Sequence, residues 1–348
     1  MADEAAKAVQ AEDGPVLGRG LDACRRCRRL QDILVIGNVA ELCVQAGTLA
    51  SASALLGSCK ALSRRLASWP ELLPGIPIAI DRDVFIWHPI PGTLMALPGL
   101  MPRLFRGQAV AEVSGQIYRC GGRGPHRSFR SDLERFEQLA ASWLSLQPML
   151  SGRMLHSATA LLGKLYICGG LRDLAQSAEC FDPALQAWTQ LPPMSSGRRG
   201  HGAAALRGKL YVCGGGIRRD VGGDGTVECF EPALGRWAQM RPMLRRNWPC
   251  RAAALRGNLC VVSVDDTDFQ HPTVVAESFD PASSLWTELQ HLTLTSSEEW
   301  LHTAAPWQGN LYVVFGPDLT ATCTFMLRLN SCTEMWERVP LVCHELAP

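Results

Sequence analysis

Two stretches of the chain decide its fold: residues 164–188, KLYICGGLRDLAQSAECFDPALQAW, and residues 209–237, KLYVCGGGIRRDVGGDGTVECFEPALGRW. Each begins with a short apolar segment ending in Tyr-x-Cys and continues through a glycine pair. Each then reaches a tryptophan by way of Glu-Cys-Phe and an acidic residue followed by proline. Self-similarity at a steady interval is typical of repeat architectures. The chain is therefore expected to be an array of one repeated supersecondary unit.

The same landmarks recur along most of the sequence. Successive tryptophans lie 45, 49, 49 and 50 residues apart, and three units also keep the glycine pair. The repeated residues are Trp143, Trp188, Trp237, Trp286, Trp336, Gly121, Gly122, Gly169, Gly170, Gly214 and Gly215. In the last two units the glycine pair is replaced by Ser263-Val264 and Phe315-Gly316, and a degenerate unit upstream has Leu94 in place of tryptophan.

Each unit is expected to form four short strands, because Gly-Lys or Gly-Asn, Gly-Gly, and Asp-Pro or Glu-Pro separate its apolar segments. A four-stranded unit cannot bury both faces alone, so units should stack radially, with Trp188 buried at a blade interface beside Phe181. From Ile76 to the C-terminus this pattern resembles the kelch repeat. The resemblance implies an all-β fold, a kelch β-propeller, spanning residues 74–348 and usually built of six blades.

The number of blades is set by how the chain ends meet. Five units are complete, and Ile76–Pro98 supplies only part of a sixth. Because closing a ring removes exposed sheet edges, we expect a composite sixth blade in which N-terminal strands pair beside the C-terminus. The alternative is a five-bladed ring with a loose N-terminal hairpin.

The N-terminal region differs in character from the repeats. Residues 1–20 are expected to be disordered, and residues 21–73 have helical apolar spacing. Residues 54–73, ALLGSCKALSRRLASWPELL, resemble the second half of an F-box, which implies docking on a Skp-type adaptor of cullin–RING ubiquitin ligases. The expected adaptor-binding residues are Leu55, Leu56, Leu62 and Leu66. The alternative is a small helical cap packed on the propeller.

Composition narrows the function classes. Lys+Arg 34 against Asp+Glu 33 gives a net charge of +1, which argues against nucleic acid as the partner. The apolar stretch Val84–Pro102 contains four prolines, so no membrane-spanning helix is expected. Fourteen cysteines without an export signal indicate reduced thiols in the cytoplasm or the nucleus.

No pattern in the sequence supports a catalytic or metal site. Cys24 and Cys27 lack a second cysteine pair, and the glycine runs at 214–216 and 222–225 do not open a phosphate-binding helix. His156, His201 and His302 share one repeat position, for which a structural role is expected. No cofactor, no metal and no enzymatic activity are therefore expected. A metal-dependent oxidase is the remaining enzyme hypothesis.

Binding is expected at the end of the propeller that carries the connections after strands two and four, because those connections are long. Arginine dominates these loops in the first units, and acidic residues such as Asp265 and Glu299 follow in the later ones. The candidate partner-binding residues are Arg153, Arg172, Arg198, Arg199, Arg218, Arg245 and Arg246. The kelch resemblance implies that Arg153 and Arg198 are solvent-accessible and hold acidic side chains of a peptide.

The expected function follows from these elements taken together. The chain is interpreted as a non-enzymatic protein-interaction module that recruits substrates to a cullin–RING ubiquitin ligase. The alternative is a free-standing kelch scaffold, such as a cytoskeletal or signalling adaptor, without ligase association.

Overall fold

In the computed structural model, every described residue lies between Gly75 and His344. The described residues are 76–80, 83–88, 93–96, 107–124, 128–137, 142–216, 224–246, 249–265, 271–294, 299–317, 325–330, 332–339 and 342–343. They form β-strands and one short 3₁₀ helix, Arg172–Leu174, and none of their helices could cross a membrane. The predicted tail, residues 1–20, and the predicted helical region, residues 21–73, lie outside the described residues.

The described part contains five four-stranded antiparallel blades. Blade 1 comprises β4 (Ala109–Val113), β5 (Gln116–Cys120), β6 (Leu133–Glu137) and β7 (Ser142–Ser145). Blade 2 comprises β8 (Ser157–Leu161), β9 (Lys164–Cys168), β10 (Ala178–Asp182) and β11 (Ala187–Leu191). Blade 3 comprises β12 (Gly202–Leu206), β13 (Lys209–Cys213), β14 (Val227–Glu231) and β15 (Arg236–Met240).

The strands of the last two blades are mostly longer. Blade 4 comprises β16 (Cys250–Leu255), β17 (Asn258–Asp265), β18 (Thr273–Asp280) and β19 (Leu285–Glu288), with β20 (Leu292–Thr293) also paired to β18. Blade 5 comprises β21 (Glu299–Trp307), β22 (Asn310–Pro317), β23 (Phe325–Leu329) and β24 (Trp336–Val339). The predicted four-strand reading of the repeat is thus confirmed for each complete unit.

Two-residue turns join the first and second strands in all five blades. In blade 2 the turn is Leu162-Gly163, with φ of 52° and 73°, and in blade 3 it is Arg207-Gly208, with φ of 51° and 74°. Positive φ at both central residues is the geometry that matches the twist of a two-residue hairpin. The turn glycines are therefore required by backbone conformation, as the sequence predicts.

The blades pack radially. The first strands contact one another in the order β4, β8, β12, β16 and β21, so they are the innermost strands and line the axis. Apolar clusters fill the spaces between neighbouring blades. In three of them a strand-two tyrosine meets the strand-three phenylalanine of the next blade, with ring centroids 6.2–6.5 Å apart: Tyr118–Phe181, Tyr166–Phe230 and Tyr211–Phe279.

In blades 2 to 5 the repeated tryptophan forms a hydrogen bond to the blade before it. Within a blade the indole packs on the strand-three phenylalanine, with a centroid distance of 5.1 Å for Phe181 and Trp188. The Trp188 indole N–H donates to the Gln147 carbonyl at 2.9 Å, and Trp237 repeats this contact with Pro192 at 2.8 Å. Phe181 is fully buried, but Trp188 is only half-buried, which corrects the expectation of a buried Trp188. The indole lies at the outer strand because its N–H must reach the neighbouring carbonyl.

A further sheet joins strands from both ends of the described chain. Its order is β1 (Ile76–Ile80), β2 (Asp83–His88), β3 (Thr93–Ala96) and β25 (Val342–Cys343). The last of these strands pairs in parallel with β3, through Val342 opposite Thr93 and Cys343 opposite Leu94. In addition, β1 contacts both β21 of blade 5 and β4 of blade 1.

Candidate interaction site at the long-loop end

The arginines at the long-loop end fall into two groups, buried and exposed. Arg153 and Arg198 precede the innermost strands of blades 2 and 3, and their exposed fractions are 1% and 0%. The expectation that both guanidinium groups are solvent-accessible is therefore wrong. A buried guanidinium needs a carboxylate and several acceptors to offset the loss of water, and both arginines have them.

Arg153 and Arg198 act as internal clamps. The Arg153 Nε donates to Glu179 at 2.7 Å, and the Arg198 Nη2 donates to Glu228 at 2.9 Å. In both cases Nη1 donates to the carbonyl of the first glycine of the pair, Gly169 or Gly214, at 2.7 Å. Each arginine thereby ties the loop entering a blade to the second and third strands of that same blade.

The glutamates of these pairs complete the clamp from the other side. Glu179 accepts the Leu150 N–H at 2.8 Å, and Glu228 accepts the Ser195 N–H at 2.7 Å. These glutamates recur nine residues before the repeated tryptophans, so the sequence does contain the signal. The recurring arginine and glutamate of blades 2 and 3 therefore pair with each other, and their opposite charges neutralise each other within the blade.

The remaining candidate arginines are less buried. Arg199 and Arg245 are half-buried, and Arg246 is exposed. The Arg245 guanidinium lies 2.9 Å from Glu288 and 3.9 Å from Asp265, so the predicted basic and acidic halves of the loop end meet there. Arg172 lies in the 3₁₀ helix, but its side chain is outside the described part, as are Arg218 and the predicted adaptor-binding leucines, Leu55, Leu56, Leu62 and Leu66.

The histidines that share a repeat position pack against the glycine pairs. The His156 Nε2 lies 3.3 Å from the Cys120 Sγ, and a Cβ on Gly121 would come within 2.6 Å of the His156 ring. Glycine is therefore needed at position 121 to admit the imidazole. His201 repeats the packing over Gly169 in the next blade, and its Nε2 lies 2.8 Å from the Ser157 Oγ.

The electrostatics of the Cys120–His156 pair are opposite to those of a catalytic dyad. Burial raises the pKa of the Cys120 thiol to about 12. Burial and the nearby Arg153 charge lower the pKa of His156 to about 3. A nucleophilic cysteine needs a depressed thiol pKa and an accessible sulfur, whereas this pair is neutral and buried. Within the described residues, no group of three His, Cys, Asp or Glu side chains could hold a metal ion.

Arg251 is a site residue that the sequence analysis missed. It is the second residue of β16, on the innermost strand of blade 4, and it is half-buried. Its Nε donates to the His302 carbonyl at 2.7 Å and its Nη1 donates to the Cys250 carbonyl at 2.9 Å. The available signal was its repeat position, six residues before the turn glycine, where the other blades have Ala109, Ser157, Gly202 and Thr303.

The fold is a β-propeller, and two of its blades match a known repeat family. The Kelch motif family matches residues 152–195 and 197–244, which correspond to blades 2 and 3. Among curated proteins, human Kelch-like protein 33 is 36% identical over 81 residues. That match covers 23% of this chain and 15% of the relative. The chain thus carries kelch repeats and is similar to part of that relative.

Proposed function

We propose that the chain is a non-enzymatic protein-interaction module that binds its partner at the long-loop end of the propeller. This proposal rests on one observation: at that end, one set of arginines is buried and supports the fold, while another set is exposed at the surface. Buried Arg–Glu clamps hold the loop entrances of blades 2 and 3, while Arg241 and Arg246 are exposed on a neighbouring connection. Exposed side chains on a rigid frame are what repeated binding modules use to vary specificity.

We further propose that the sheet formed by β1, β2, β3 and β25 is a sixth blade that closes the ring. The support is that β1 contacts the innermost strands of both blade 5 and blade 1. Closure by the C-terminal strand removes the open edge of β3. Ending the chain after Val339 should therefore lower the midpoint of chemical unfolding of the propeller. An unchanged midpoint would favour the five-bladed ring with a loose hairpin.

For the biological role, we propose that the chain recruits substrates to a cullin–RING ubiquitin ligase through residues 54–73. The support is the F-box-like pattern of that segment. Seven buried, unpaired thiols among the described cysteines, from Cys120 to Cys260, fit a reducing cytoplasmic or nuclear location.

Co-purification with a Skp-type adaptor tests the ligase role. Replacing Leu62 and Leu66 by Asp should abolish adaptor binding while the unfolding curve of the propeller stays the same. As a matched control, Leu185→Asp alters a leucine that is 74% exposed on the opposite end of blade 2 and should keep adaptor binding. Wild-type chain that binds no adaptor would leave the free-standing scaffold as the function.

A further inference from the structure

The axial side of blade 4 carries a cation whose charge no described carboxylate neutralises. Arg251 forms hydrogen bonds only to two carbonyl oxygens, and no ion pair within the described residues includes it. Its Nη2 makes no hydrogen bond to a described residue and is not among the fully buried atoms that lack a partner. Arg251 differs in this respect from Arg153 and Arg198, whose charges are paired internally.

The surroundings of Arg251 hold its guanidinium in place. The pairing of β21 with β22 shifts register between Leu301 and Thr303, so His302 lies at a bulge. A bulged residue is left out of the strand ladder, and the His302 carbonyl is thereby available to accept from Arg251. The other acceptor, Cys250, belongs to the same strand as Arg251. The guanidinium is thus fixed between the innermost strands of blades 4 and 5.

Within the described residues, no carboxylate acts on the pKa of Arg251. Burial lowers the pKa of Arg251. Burial also lowers the pKa of His201 well below its ordinary value, with smaller contributions from nearby charges that include Arg198 and Arg251. His201 is therefore neutral at physiological pH, and its Nδ1 has no hydrogen-bond partner in the described residues. A fixed, partly desolvated guanidinium with free N–H donors binds a carboxylate more strongly than an exposed arginine does, because it loses less side-chain freedom and less hydration.

We propose that Arg251 is the carboxylate-binding residue of the propeller, receiving one carboxylate of a bound peptide at the long-loop end of the axis. This proposal rests on the proposed function of that end as a protein-binding face. Two of the five guanidinium N–H groups are used by the carbonyls, which leaves donors for a carboxylate oxygen. The carboxylate is either an acidic side chain or the C-terminus of the peptide.

Synthetic bead-bound peptide libraries test this assignment with the full chain. One library has a fixed central Glu and an amidated C-terminus, the second a fixed Gln and an amidated C-terminus, and the third a fixed Gln and a free C-terminal carboxylate. We expect the wild-type chain to favour the first or the third library over the second, and that preference identifies the source of the carboxylate. Arg251→Thr, which introduces the residue found at this position in blade 5, should reduce the preference about tenfold or more.

The control is Arg236→Gln, which removes the same charge from an exposed position at the start of β15, at the opposite end of the propeller, and should keep the preference. Should Arg251→Thr fail to fold, the Nε–H resonance of Arg251 in the wild-type chain, assigned by its loss in Arg251→Lys, should shift with the carboxylate peptide only. Preference retained by a folded Arg251→Thr, or an unshifted resonance, overturns the assignment. Equal binding of all three libraries also overturns it but leaves the protein-binding face standing, whereas no binding to any library removes both.

Discussion

Replacing the Arg198 guanidinium should substantially lower the free energy of unfolding of the propeller, because the guanidinium is buried together with Glu228. The exposed fractions of the two side chains are 0% and 1%, and the shortest distance between them is 2.9 Å. Arg198→Met keeps the apolar stem but removes the guanidinium from the buried Glu228 carboxylate, whose remaining described donors are the Ser195 and Ser196 N–H groups. Breaking a buried pair on one side costs about 3–5 kcal/mol.

The magnitude can be apportioned with a double-mutant cycle in urea unfolding. Arg198→Met should cost about 3–5 kcal/mol. The double variant Arg198→Met with Glu228→Gln should cost less than the sum of the single variants by about 0.5–3 kcal/mol, since neither charge is then left alone. The matched control is Arg245→Met, because the Arg245 and Glu288 side chains are 42% and 40% exposed, and such a pair contributes about 0–1 kcal/mol.

A small loss of stability in Arg198→Met would refute the stabilising role of the clamp. If Arg198→Met costs under about 1 kcal/mol, as the exposed pair does, with an unchanged slope of unfolding free energy against urea, the clamp does not stabilise the blade.

Three further predictions concern a turn, a thiol and a carboxylate. Leu162→Asn should raise the free energy of unfolding by about 0.5–1 kcal/mol, because asparagine tolerates the positive φ of 52° and the change removes an exposed leucine. Gly163→Ala should lower the free energy of unfolding by about 1–2 kcal/mol, because its φ is also positive. Changes of opposite sign in urea unfolding would contradict the turn geometry. In the native protein, iodoacetamide should modify the exposed Cys332 before Cys120, because burial shields the Cys120 thiol and raises its pKa to about 12. Site-resolved mass spectrometry that finds Cys120 modified first would be inconsistent with the buried Cys120–His156 pair. Burial raises the folded-state pKa of Glu277 above the ordinary value of 4.5, so ionising this carboxyl opposes folding. The stability of the wild-type chain relative to Glu277→Gln should therefore fall as pH rises from below 4.5 through the raised folded-state pKa. A relative stability that rises over that range in pH-dependent urea unfolding would refute the sign.

The sequence predicts the strands and turns of this fold because their determinants are local and repeated. Tyr-x-Cys ends the second strand of blades 1 to 3, the turn glycines have positive φ, and Tyr166 packs on Phe230 in the next blade as a residue in a repeat register should. The F-box-like region, by contrast, stays a prediction. Its determinants are one apolar helical pattern without a second copy, and such a pattern is equally consistent with a docking surface or a packed cap.

The sequence predicts the candidate site only in part, because a shared repeat position indicates a shared environment but not whether that environment is exposed or buried. Arg153 and Arg198 recur at one position, and Glu179 and Glu228 recur at another, so their pairing was implicit in the alignment of the units. Arg251 shows the converse. It occurs once, at a position where other blades have small or uncharged residues, and its second acceptor depends on a bulge at His302 that no local sequence pattern indicates.

Function in a repeat protein is expected where one unit departs from the others, since positions shared by all units face equivalent neighbours and are satisfied by packing. Blade 4 and the connection entering it concentrate such departures. Cys250 stands where His156 and His201 stand, Arg251 replaces a small residue, and Asn247 replaces the clamp arginine. Without that arginine, Glu277 keeps the backbone donors Leu244 and Arg245, and its pKa is raised by burial. One of these substitutions removes the internal clamp from this blade, and another places at position 251 a guanidinium that pairs with no described carboxylate. The proposed carboxylate-binding residue therefore belongs to the blade that lacks the clamp.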